Sequence, residues 1–242
     1  MRASVAVLSA AVLLAVGSIE ATGWVVVASY PAPAANARGI TVGDVPYGTS
    51  ILCDGSPPRV YDLFKPSEYI TLAIPRGAWG LRCWESDTIL VSNYNNSYIY
   101  KLTSTGSVLS SFRCPKAHPA DLSGWAPYVA IPDENLAIEI TTTGSIRSSF
   151  RGPGTRLTAI DAGDSTEAVL GDPATHKVYF LGYGTGHLDS PVAVCASVLM
   201  DDPPYVRILV VDRTTNYVYL FKWDGSEAVA PASFGRVKGL FK

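Results

Sequence analysis

A chain of 242 residues with a formal net charge of −2 and a pI near 5.9 carries its charges scattered. It lacks the clustered Lys and Arg that a nucleic acid or an anionic membrane would call for. Its 48% hydrophobic and 17% charged content, with 21 Gly and 17 Pro, excludes a disordered chain and suits many buried strands joined by short turns.

Residues 1–21 read as an export signal. Arg2 precedes an uncharged apolar run over 5–16, and small residues follow. That run is shorter than the roughly 20 residues needed to span a bilayer, so no stable membrane insertion is expected after cleavage. The mature chain is then residues 22–242, placed outside the cytoplasm: secreted, periplasmic or at the cell surface. Residues 22–31, which begin Thr22-Gly23 and end Tyr30-Pro31, match Thr105-Gly106 through Phe112 with one extra residue. They resemble a strand d that has no blade of its own beside it.

The rest is a repeat. Val60-Tyr61, Ile99-Tyr100, Ala137-Ile138, Val178-Tyr179 and Val218-Tyr219 return at a spacing of roughly 40 residues, the period of four-stranded propeller blades. Two copies align without gaps, Ile99 through Phe112 with Ala137 through Phe150. Each alternates apolar and polar residues on both sides of a Thr-Gly turn, Thr105-Gly106 and Thr143-Gly144. That is the period of two antiparallel strands, c and d. Apolar runs upstream, at 50–53, 88–91, 128–131, 168–170 and 205–211, read as strand b. The turns after them are Asp54-Gly55, Tyr94-Asn95-Asn96, Asp133-Glu134-Asn135, Asp172-Pro173 and Asp212-Arg213, and their plain role is to reverse the chain. Segments rich in small residues, at 39–42, 80–84, 120–124, 157–161 and 194–199, read as the inner strand a.

The expected class is therefore all-β, a β-propeller. Residues 237–242 fall where a further strand a would begin. Pairing them with the unpartnered strand at residues 22–31 gives five complete blades plus a partial sixth shared by the two termini, with its middle strands lying beyond Lys242. The competing arrangement is a five-bladed ring with its ends packed on the seam.

Chemistry is sparse. Cys53, Cys83, Cys114 and Cys195 occupy unrelated places in the repeat, which favours buried thiols, although a bridge from Cys53 to Cys83 is conceivable in an exported chain. No Cys-x-x-Cys pair points to zinc, and no Gly-x-Ser-x-Gly points to a nucleophile elbow. His176 falls in a turn from strand b to strand c and His187 near a strand d, and only His118 lies near the mouth of the ring. Asp161, Asp164, Glu167 and Asp172 form the densest acidic stretch without the spacing of a calcium loop. Asn95-Asn96-Ser97 fits a glycosylation acceptor and equally a hairpin turn. Neither metal nor cofactor is expected, and no catalytic residue is assigned.

The residues that break the repeat near the loop face are Trp79, Trp84, His118 and Arg156, suited to stacking on a sugar ring, an aromatic group or a peptide. The alternative for either tryptophan is a wedge between blades.

Tyr100-Lys101-Leu102-Thr103-Ser104-Thr105-Gly106 and Asn216-Tyr217-Val218-Tyr219-Leu220-Phe221 give the chain its kinship. Over nearly the whole mature length it resembles secreted bacterial six-bladed propellers of the NHL-repeat and streptogramin-lyase-like group. For the lyases, that resemblance implies histidines and a glutamate around a metal in the channel, and no positions here match such a set. Two function classes remain: a monomeric, non-catalytic module that binds an extracellular protein, peptide or glycan, and a lyase or hydrolase acting on a carbohydrate or lactone. The second would draw on carboxylates such as Asp121 and Asp161, and carboxylates of shifted proton affinity in the channel would mark it.

Overall fold

The computed structural model describes residues 24–223, except 44–45, 86, 124–126, 163–167, 176, 182–185, 190–193, 201–205 and 214. The proposed export signal, His176, Asp164, Glu167 and residues 237–242 lie outside the described residues.

Among the described residues, five four-stranded antiparallel sheets follow one another around a ring. The first holds β2 (Ala37–Val42), β3 (Thr49–Cys53), β4 (Arg59–Asp62) and β5 (Tyr69–Thr71). The second holds β6 (Ala78–Glu85), β7 (Thr88–Asn93), β8 (Tyr98–Thr103) and β9 (Val108–Arg113). The third comprises β10 (Leu122–Ser123), β11 (Tyr128–Ile131), β12 (Leu136–Ile140) and β13 (Ile146–Arg151). The fourth comprises β14 (Ala159–Ala162), β15 (Ala168–Asp172), β16 (Lys177–Leu181) and β17 (Gly186–Asp189). The fifth joins β18 (Val194–Met200), β19 (Val206–Asp212) and β20 (Tyr217–Trp223) to β1 (Trp24–Pro31) at its outer edge.

This last sheet corrects the expected sixth blade. β1 is a strand d, as its sequence indicates, but it pairs with β20 in register from Trp24↔Trp223 to Pro31↔Tyr217. The strand thus completes the fifth blade instead of founding another. The ring closes where β18 and β19 meet β2. Sharing one blade between distant parts of the chain satisfies the open edge of β20 and ties the ring shut.

The predicted a, b and c segments coincide with the observed strands. Every residue of β3, β7, β11 and β15 is buried, because these strands are covered on both faces by neighbouring sheets. The d strands β9 and β13 lie at the rim and are largely exposed. The two aligned copies agree in detail. Gly106 and Gly144 take φ of 89° and 87°, the left-handed conformation that glycine adopts without a Cβ clash. Both copies also carry a bulge at the same point, after Lys101 and after Glu139. The inner strands approach closely: a Cβ added to Gly80 would lie 2.7 Å from the Ala120 carbonyl.

Turns between strands b and c lie at the same end of the ring as the loops from each strand d to the next strand a. Ser97, Asn135 and Asn216 end three of those turns in the left-handed conformation, with φ of 61°, 50° and 58°. Their carbonyls accept the N–H of Cys114, Gly152 and Ala32, each just past the sheet's strand d. Their side chains seize the loop that follows. Asn135 Oδ1 accepts the N–H of Leu157 at 3.1 Å, and its Nδ2 donates to the carbonyls of Gly152 and Gly154 at 2.9 and 2.6 Å. Asn216 likewise accepts from Ala37 N–H and donates to Ala34. Asparagine suits the place because it tolerates the left-handed conformation and offers both an acceptor and a donor. Asn135→Ala should cost about 2–4 kcal/mol in urea unfolding, since it removes three hydrogen bonds to the loop and leaves an alanine in the left-handed conformation. An unchanged midpoint would contradict this clamp.

Candidate binding site on the loop face

Trp79 enters at the start of β6 and is 6% exposed, within the core cluster that also holds Ala37, Tyr61 and Tyr128. Arg38, at the start of β2, and Arg213, in the turn after β19, both stack on its indole, with guanidinium carbons 4.5 and 4.4 Å from the ring centroid. Tyr94 lies on the other path from Trp79, with ring centroids 4.9 Å apart, and His118 stacks on Tyr94 at 4.7 Å and 18°. The His118 Nδ1 sits 2.6 Å from Asp133 Oδ2. A continuous row thus runs from Arg213 through three rings to Asp133, drawing on the fifth, second and third blades.

The row is held from behind. His118 has φ 54° and donates its N–H to Ser97 Oγ at 3.1 Å, so the clamp at the end of the second blade's turn sets the ring on Tyr94. His118 and Asp133 keep 44% and 48% side-chain exposure, Tyr94 is half-buried and Arg213 is exposed. Trp79 is the floor of the site; Tyr94, His118 and Arg213 are what a ligand would meet. The Trp79 Nε1–H is buried and has no hydrogen-bond partner. Beside His118 lies a hollow of about 320 Å³ lined by Ser97, Arg113, Cys114, Pro115, Lys116 and Ala117. Lys116 pairs with Glu134 at 2.8 Å across it toward the third blade.

Of the residues singled out from sequence, Trp79 and His118 are brought together through Tyr94. Arg156 stands on the same face, exposed, in the loop before β14, where its N–H donates to Asp172 Oδ2 at 3.0 Å. Trp84 does not join them. It lies near the far end of β6 and packs against the cluster of Leu90, Ile99, Cys114 and Leu122 between the second and third blades, the wedge role weighed for it. Tyr94, Asp133 and Arg213 had only a turn role in the sequence, and Arg38 had none. The signal available for them was that each is a large or charged side chain at a turn or strand start facing the mouth.

Of the acidic stretch, Asp161 and Asp172 lie among the described residues, and they stand in different settings. Burial pushes the Asp172 carboxyl up, but the N–H groups of Thr155, Arg156, Ala174 and Thr175 outweigh it and hold its proton affinity below the ordinary value. Asp172 therefore shapes the loops of the fourth blade. Asp161 faces Arg82 at 3.5 Å, joining the second and fourth blades past the third. Asp121 stands between them in sequence and space, 2% exposed, with Oδ2 accepting from Ile160 N–H and Oδ1 unpartnered. Burial raises its proton affinity well above the usual 3.8, backbone N–H groups of Leu122 and Ile160 oppose this, and Asp161 adds to it. The folded chain thus keeps a proton at Asp121 that the unfolded chain has released, so this residue subtracts stability as pH rises above about 4. Asp121→Asn should flatten the fall in urea midpoint as pH rises above about 4. Parallel slopes for variant and parent would refute it.

Cys53 and Cys114 are buried free thiols, so Cys53 does not bridge to Cys83. Burial pushes their proton affinities up to about 12 and about 11, which makes both inert as nucleophiles at neutral pH. No group of three or more metal-binding side chains occurs among the described residues.

No protein-family model matches the chain, and no curated protein matches it. Solved structures do. A selenomethionine-substituted virginiamycin B lyase from Staphylococcus aureus is 12% identical, covering 86% of this chain and 90% of that one with a TM-score of 0.49. A streptogramin B lyase is 13% identical, covering 88% and 91%, with a TM-score of 0.49. A protein of unknown function from Bacteroides caccae is 13% identical, covering 76% and 80%, with a TM-score of 0.50. At these identities nothing but fold is compared; the five sheets described above make this chain an all-β propeller, and its site must be judged on its own residues.

Proposed function

We propose that the protein is an exported, non-catalytic binding module that acts as a monomer and presents its loop face to an extracellular protein, peptide or glycan. The observation that supports this is the row of rings Trp79, Tyr94 and His118, buried at one end, reachable at the other and braced by backbone clamps. A rigid aromatic ledge binds without paying to order itself. Residues 1–21 support the export, and the blade phrases support a kinship with NHL-repeat propellers. Glycan and peptide arrays probed with the protein, with and without divalent metal, should return metal-independent binding that Tyr94→Ala and His118→Ala both abolish. Metal-dependent turnover would overturn the reading.

A lyase or hydrolase retains one observation in its favour: Asp121 holds its proton beside the Asp161 and Arg82 pair in the channel, so an acid and a carboxylate stand close together. The Asp121 oxygen without a partner is itself buried, which places it out of reach of a substrate. Turnover of an oligosaccharide or lactone that Asp161→Asn abolishes would decide for this second reading.

A further inference from the structure

The chain is slightly acidic overall, yet its loop face is not. Arg76, Arg113, Lys116, Arg151, Arg156 and Arg213, all exposed or half-exposed, sit in the loops after strand d, at strand d ends or in a turn after strand b, and so at this one end of the ring. Against them, the exposed carboxylates of that end among the described residues are Asp133 and Glu134, already engaged by His118 and Lys116. Asp54, Asp172 and Asp212 are there too, but all three are buried: Asp54 and Asp172 spend their oxygens on backbone N–H groups, and Asp212 accepts from the N–H of Thr215. Scattered along the sequence, the cations are brought by the fold to one end of the ring, the end that carries the aromatic row.

We propose that this face binds an oligosaccharide bearing carboxylates, a proposal that rests on the binding reading above and names its ligand. Arg213 is exposed, yet its planar guanidinium is held by stacking on Trp79, which leaves its N–H fork free to meet a carboxylate in bidentate fashion. One step along the row, the half-exposed Tyr94 and His118 rings offer a flat apolar ledge for the C–H face of a pyranose. Asp133 and the His118 ring supply an acceptor and a second polar group for hydroxyls at its edge. Arg113 and Lys116 flank the hollow beyond, where the next acidic unit would fall. A nucleic acid strand uses similar parts, but here Asp133 and Glu134 stand in the middle of the path and would repel a phosphate backbone, whereas a sugar's hydroxyls can bond to them.

The test is calorimetric titration of the full chain with three probes at low salt: uronate oligosaccharides (an oligogalacturonate and a glucuronate-bearing one), the same sugars with carboxylates reduced to alcohols, and a single-stranded oligonucleotide. A uronate should bind at least tenfold more tightly than its reduced form and weaken as salt rises. Arg213→Ala should remove at least a tenfold share of that affinity and Arg213→Lys should restore part of it, both variants melting with the parent. Equal binding of acidic and reduced sugars that depends on Tyr94 would sink the carboxylate claim while leaving the binding module standing. Tighter binding of the oligonucleotide would also sink it, and no binding by any probe, with blank arrays, would sink both.

Discussion

A chain lacking residues 24–31 should lose its cooperative unfolding transition, or unfold at a midpoint lower by more than about 3 kcal/mol, a large part of the stability of an ordinary domain. β1 supplies the whole outer strand of the fifth sheet, and Tyr30 packs against the main core cluster and meets Phe64 of the first blade edge-on at 5.4 Å. Without it, β20 presents a bare row of backbone donors and acceptors and the first and fifth blades lose a tie. The loop from Ala32 to Asn36 would also lose its anchor, since Asn216 holds it only while β1 delivers it there. Circular dichroism during urea unfolding measures the loss, and aggregation of the shortened chain is its expected companion. A deletion that unfolds at the parent's midpoint would show that closure does not depend on this strand.

Trp79→Ala should cost about 3–5 kcal/mol, the range for emptying a buried aromatic site. Here the loss extends beyond the cavity. The indole is the common support of Arg38, Arg213 and Tyr94, so removing it frees the guanidinium that the sugar proposal requires and unseats the ledge. Trp79→Phe keeps a six-membered ring and removes the indole's five-membered ring, whose N–H has no partner among the described residues, so it leaves a smaller cavity and should cost less than alanine. Urea unfolding of both variants separates the cases. Equal losses for Ala and Phe would mean that the indole's shape, and not its role as a stacking floor, carries the energy.

The sequence pattern revealed most of the fold because blade structure is local. The Thr-Gly turns, the alternation around them and the apolar runs of β7 or β15 are set by residues a few positions apart. The identity of β1 as a strand d was also local. Its partner was not: period-2 alternation is the same along every sheet edge, so nothing in residues 24–31 distinguishes the edge of β20 from that of an imagined sixth blade. The site divides the same way. Trp79 and His118 stand out because they interrupt a repeat, whereas Tyr94, Asp133 and Arg213 occupy turn positions where such residues are unremarkable.

By itself, then, the sequence determined that this protein is a ring of four-stranded sheets with asparagine- and aspartate-rich turns, since those features follow from periodicity and turn chemistry within each copy. Only the tertiary structure decided how many blades close the ring, that dispersed arginines face one way, and that Arg213 and Trp79 touch. Such contacts join residues far apart along the chain, and they come about only when the blades curl around a shared axis.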